Sequence, residues 1–154
     1  MADERHDILE AAFPGEHARF FLAMSIGGTP ELADYGAALI LAGTKTATAS
    51  PFWDYPDGRI PFVGALSVLL DGRRRPVGIV ETVGIETVRF NDVTEAMASA
   101  YGEGDRTLLW WRRVTGAWYR DKAVRDRQVF SQDDELIWEW IAVRSHLQPG
   151  IETP

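Results

Sequence analysis

The sequence predicts one α+β domain: a short, curved, antiparallel or mixed sheet, with flanking helices filling one opening, that would resemble a small barrel. Three observations carry this. The patterns run helix, strands, helices, strand, an order that segregates helices from sheet. Asp71-Gly72-Arg73 joins two β-rich runs as a hairpin would. The chain has 154 residues with 45% hydrophobic content, enough to close one core, and no repeat or composition break divides it.

The elements follow in order. Asp7 to Met24 reads as two short helical pieces around Pro14-Gly15, part of a lead-in over residues 1–30. Thr29 is placed to cap the next helix with Pro30 in its first turn, and Glu31 to Ala42 repeats Leu32, Tyr35, Leu39 and Ala42 at helical spacing before Gly43. Pro51 to Pro61, dense in Pro, Asp, Gly and aromatics, reads as a folded-over loop. Ala65 to Leu70 and Pro76 to Val88 are the hairpin strands. Asn91 to Ala100 reads as a helix capped by Asn91 or Asp92. Arg106 to about Lys122 reads as a second, capped by Asp105, with Leu108, Leu109, Trp111, Val114 and Trp118 as its apolar face. After a turn at Ser131 to Asp134, Glu135 to Val143 is apolar enough for a buried strand. The main domain then spans residues 31–147, with a loose tail over 148–154.

Composition narrows the function. No stretch approaches the roughly 20 apolar residues of a membrane helix, since the longest run, Ala37 to Ala42, stops at Gly43. Asp3, Glu4, Asp7 and Glu10 stand where a secretory signal needs bases and then apolar residues, so a cytoplasmic location is expected. With 0 Cys there are no disulfides, thiolate metal sites or cysteine nucleophiles. The net charge of −7 argues against gripping long nucleic acid with the whole surface, because such affinity comes from neutralising phosphates. Between Arg106 and Arg127, however, seven bases face two acids, a local basic face that can meet a phosphate or a short RNA.

Three windows can carry chemistry. In Gly43-Thr44-Lys45-Thr46-Ala47-Thr48 a helix end precedes three hydroxyls and one amine. A Lys in a partly dry cleft can act as a base or stabilise an oxyanion, and a Thr hydroxyl beside it can act as a nucleophile; solvated residues entering a strand would look the same. In Tyr101-Gly102-Glu103-Gly104-Asp105-Arg106 two glycines allow a turn that presents Glu103 and Asp105, although capping explains Asp105 equally well. Glu81 sits in the apolar run Val77 to Val83; it faces water, or, facing a barrel interior, it needs a cation such as Lys45. A metal site is not expected, because Glu103 and Asp105 lack companion ligands and His6, His17 and His146 are scattered. No cofactor is expected either.

Taken together, Gly43 to Thr48, Ile60-Pro61-Phe62-Val63-Gly64, Pro76 to Thr82, Phe90-Asn91-Asp92-Val93 and Gly102 to Arg112 resemble the ASCH domain family in order and spacing, from about Glu31 to Val143. The resemblance implies a PUA-like β-barrel with a central cleft, in a family linked to RNA binding and to RNA or nucleoside chemistry. Similar members are associated with amide hydrolysis of acetylated cytidine and with ribonuclease activity. In the amidohydrolase members a Lys and a Thr three residues later act with a Glu; the first two map onto Lys45 and Thr48. The family commonly has a Glu where this chain has Tyr101, so the third role falls to Glu103 or Glu81, and Thr115 stands where a His is frequent.

The residues expected to bind the ligand are Thr46, Trp53, Tyr101, Asp105, Arg106 and Arg112. The expected function is binding of RNA or a modified nucleoside in a cleft around Lys45, with hydrolysis of the amide of an N-acylated cytidine. The alternatives are cleavage of single-stranded RNA, using Lys45 and the basic helix, and a non-catalytic RNA- or nucleotide-binding module with Trp53 or Tyr101 stacked on a base. The expected partners are a nucleoside, a nucleotide or a short RNA, with no membrane; a homodimer is left open.

Overall fold

The computed structural model describes residues 2–148. Most of the expected tail, residues 149–154, lies outside them. Helix α1 (Ala2–Ala12) leads through a turn and a 3-10 turn (His17–Arg19) into strand β1 (Phe20–Met24). Then follow α2 (Pro30–Leu41), β2 (Ala47–Pro51), β3 (Leu66–Leu70), β4 (Pro76–Arg89), α3 (Glu95–Tyr101), α4 (Leu108–Arg125) and β5 (Glu135–His146). Among the described residues no helix is long and apolar enough to cross a membrane.

The architecture is the α+β one expected. Five strands form one mixed sheet in the order β1-β3-β4-β5-β2. The pairs β3/β4, β4/β5 and β2/β5 are antiparallel, and β1 joins β3 in parallel. The ladder is open: β1 and β2 are its two edges, so the hydrogen bonds do not run round a closed barrel. Phe20-Phe21-Leu22, expected to be helical, is the edge strand β1. Its partner β3 lies more than forty residues away, and such long-range pairing overrides a local pattern.

Local chemistry sets the helix ends. Thr29 caps α2 by accepting a hydrogen bond from the Leu32 amide, with Pro30 in the first turn. Thr94, not Asn91 or Asp92, caps α3, and Thr107, not Asp105, caps α4. Asp105 instead accepts from the Thr107 amide at 2.9 Å and hydroxyl at 2.6 Å, bracing the cap residue from two positions before it.

The sheet packs on both faces. Trp111, Tyr119, Phe90 and Trp138 meet under α3 and α4, and Trp138 and Trp111 are almost wholly buried. Leu69, Val80, Ile141 and Ile40 form a second cluster beneath α2, and Leu9 of α1 covers Leu66 and Ile79. Burying each large aromatic ring stabilises the fold by roughly 2–3 kcal/mol, which fixes the sheet and α4 as the rigid frame of the site.

Candidate functional site

The site begins where α2 ends. Gly43 takes a left-handed conformation (φ +78°) and turns the chain into β2. At the end of α3, Gly102 does the same (φ +76°) and crosses that turn closely. A Cβ on Gly102 would lie 2.4 Å from the Thr44 carbonyl oxygen and 2.7 Å from the Lys45 Cα, so only glycine allows the crossing. The Thr46 amide seals it with a 2.8 Å bond to the Ala100 carbonyl.

This joint drives the Lys45 side chain inward until none of it is exposed. Its Nζ lies 2.8 Å from Glu103 Oε2, donates to the Tyr101 carbonyl at 3.1 Å, and sits 3.3 Å from the centre of the Tyr101 ring. Burial disfavours the ammonium and pulls its pKa down to about 8, although the Glu103 carboxylate works in the opposite direction. An amine so placed can hold or release a proton near neutral pH.

A cavity of about 390 Å³ opens beside this pair, in the size range of small-molecule sites. Both sheet edges line it: Phe21 to Met24 from β1, and Thr48 and Ser50 from β2. The floor adds Ser67 and Glu139, and α4 supplies Trp110, Val114, Thr115 and Trp118 as a wall. Glu103 and Tyr101 line it directly, whereas Lys45 stays behind them. Lys45 and Thr46 border a second hollow, of about 260 Å³, next to the end of α2.

The sequence-derived candidates therefore divide. Thr48, Tyr101 and Glu103 line the cavity, and Lys45 is bonded to two of them. Glu81 does not join them. Side chains alternate along a strand, so Thr82 points toward Glu139 while Glu81 points away. The cations of Glu81 are Arg19 and Arg144, the latter at 3.0 Å, and not Lys45; the Arg144 bond foremost holds its carboxyl below the ordinary range.

Trp53 donates to Asp126 at 3.0 Å, Arg106 binds Ser99 through its carbonyl and hydroxyl, Arg112 donates to the Asn91 carbonyl, and Thr46 is exposed. None of these, nor Asp105, lines the cavity. Thr115, at the position where His is frequent in the resembling family, is buried and does line it.

Sequence reasoning missed three participants. Asp54 and Lys122 meet across the cavity at 3.0 Å, and Lys122 also bonds Asp126 at 2.9 Å. Burial opposes the Lys122 charge, but these carboxylates outweigh it and raise its pKa. Glu139 is 5% exposed and accepts a 2.9 Å hydrogen bond from Thr82 Oγ1; burial raises its pKa above the ordinary carboxylate value, although the Thr82 bond works the other way. The signal for Glu139 was an acid in the middle of Ile137-Trp138-Glu139-Trp140-Ile141. Among the described residues no three His, Asp or Glu side chains gather as metal ligands.

Comparison with known proteins gives one family and a shared fold. A family model described as "ASCH domain" matches residues 22–144. The crystal structure of an ASCH domain from Lactobacillus crispatus JV V101 is 28% identical, with a TM-score of 0.80 over 91% of this chain and 94% of that one. The crystal structure of a protein from Enterococcus faecalis V583 is 23% identical, with a TM-score of 0.77 over 91% of this chain and 88% of that one, a likeness of fold. No curated protein matches the chain.

Proposed function

This chain belongs to the ASCH domain family, and from that premise we propose that its cavity binds an uncharged nucleoside and hydrolyses an amide on its base, as in an N-acylated cytidine. One observation carries the choice of ligand: both lysines of the cavity region are already matched by carboxylates, Lys45 by Glu103 and Lys122 by Asp54 and Asp126. A phosphate entering there would find both lysines already committed to carboxylates, and Glu139 with no cation of its own. A flat, neutral base suits it better, between Trp110 and Trp118 on one side and the hydroxyls of Thr48 and Ser50 on the other.

The reaction follows from the groups at hand. Thr48 Oγ1 attacks the acyl carbon while its proton passes to Glu103, which the Lys45 amine 2.8 Å away holds in place. The C–N bond then breaks, the amine leaves with a proton, and water releases the acid from the Thr48 ester. Purified protein is expected to release acetate from N4-acetylcytidine, and Thr48→Ala to stop it. Cytidine binding without turnover would remove the hydrolysis; binding of neither nucleoside would remove the whole reading.

A second reading draws on the exposed arginines of α4, Arg112, Arg113, Arg120 and Arg125, which lie outside the cavity and could meet RNA phosphates. Salt titration separates the two. Nucleoside binding is nearly independent of salt, whereas RNA held by these arginines weakens steeply as salt rises.

A further inference from the structure

Glu139 has no structural reason to be an acid. Strand β5 is interior to the sheet, and Glu139 lies on the cavity face of an otherwise apolar stretch. A buried carboxyl with one hydroxyl partner is a poor stabilising device, and an apolar side chain of similar size would serve the fold at least as well. Its bond from Thr82 engages Oε1 and leaves Oε2 without a partner among the described residues, on a side chain that lines the cavity. Directly opposite, in the β2/β5 register, stands Thr48, whose side chain shares that face.

We propose that Glu139, in its protonated form, reads the edge of the bound base: its O–H donates to a ring acceptor while its other oxygen accepts an adjacent N–H. The inference rests on the nucleoside reading above. It names the ligand class more closely, as a heterocycle presenting neighbouring donor and acceptor atoms, an amide or amidine edge as in uracil or cytosine. A protonated carboxyl complements such an edge; an ionised one offers two acceptors and loses the donor. Burial moves the Glu139 pKa upward, the direction that this state requires.

The other titratable groups around the cavity belong to separate elements. They are Tyr55 and Asp54 after β2, Tyr101 and Glu103 at the end of α3, with Lys45 behind them, and Lys122 on α4. The β1 segment and the loop after it, Phe21 to Gly28, contribute none. Asp54 and Glu103 are each bonded to a lysine, and burial first of all pushes Tyr55 up to about 12, so Glu139 is the cavity carboxyl without a cation.

The test is calorimetric binding of uridine and of N3-methyluridine, whose methyl group blocks the ring N–H, to wild type, Glu139→Gln and Glu139→Leu across a pH series. Wild type is expected to prefer uridine over the methylated form by at least ~10-fold, the scale of one lost hydrogen bond in a dry site. That preference should fade as rising pH ionises Glu139. Glu139→Gln, an amide with donor and acceptor, keeps the preference at every pH; Glu139→Leu loses it. If wild type and Glu139→Leu discriminate equally, or Glu139→Gln follows the wild-type pH profile, this inference is overturned while the nucleoside reading stands. If wild type binds neither uridine nor cytidine, both fall.

Discussion

Replacing Lys45 with Met removes a buried ammonium and leaves its volume almost unchanged, so the variant isolates the charge. In the native chain the amine's pKa is about 8, against an ordinary 10.5, because burial outweighs the pull of Glu103. The gap of about 2.5 pH units corresponds to about 3 kcal/mol at about 1.4 kcal/mol per unit.

The sign follows from proton counting. Between about pH 8 and 10.5 the native amine has given up its proton while the unfolded chain still holds one. The unfolded state binds more protons, so rising pH favours the native state. Below about pH 8 both states are protonated and this contribution is flat. Lys45→Met has no such titration.

The stability difference, wild type minus variant, should therefore grow in favour of wild type by about 3 kcal/mol across that window. At neutral pH the two differ by no more than about 2 kcal/mol, because relief of the buried charge offsets the cost of stranding Glu103, which opens to the cavity. Urea unfolding followed by tryptophan fluorescence at a series of pH values measures both quantities. A difference that stays level with pH, or moves toward the variant, would refute the claim that Lys45 is buried as a charged group.

Other expectations follow from the same geometry. Gly102→Ala should cost more than ~2 kcal/mol, since the left-handed backbone alone costs about 1 kcal/mol and the new Cβ strikes main-chain atoms. Gly43→Ala, at a similar φ with open space around its Cβ, should cost only about 1 kcal/mol in the same urea assay. Glu103→Gln removes the carboxylate that supports the Lys45 charge. It should move that pKa below about 8 in a heteronuclear NMR titration and lower acetate release by roughly 100-fold. Thr107→Ala deletes the cap of α4 and should cost about 1 kcal/mol by thermal or urea unfolding.

What could be read from the sequence was local. Gly43, the Thr29-Pro30 cap and the Asp71-Gly72-Arg73 hairpin act through their own backbone, and each stands where its chemistry predicts. Capping was misread at α3, where Asn91 or Asp92 was expected and Thr94 caps instead, because only the final chain path decides which side chain reaches an amide. The site was half legible. Lys45, Thr48 and Glu103 lie in motifs, but which carboxylate meets Lys45 depends on strand parity, and parity turned Glu81 toward Arg19 and Arg144. Glu139 escaped notice because an acid in an apolar strand declares its direction only once register with Thr48 and Thr82 is known.

The gap between β1 and β2 has a mechanical consequence. A closed barrel can widen only by breaking backbone bonds, but here the two margins that flank the hollow share none. The bore can therefore be reset through the side chains of Phe21 to Met24 and of Ala49 and Ser50, leaving Thr48 and the three inner strands in place. Changes of guest among descendants of this framework should accumulate along that slot.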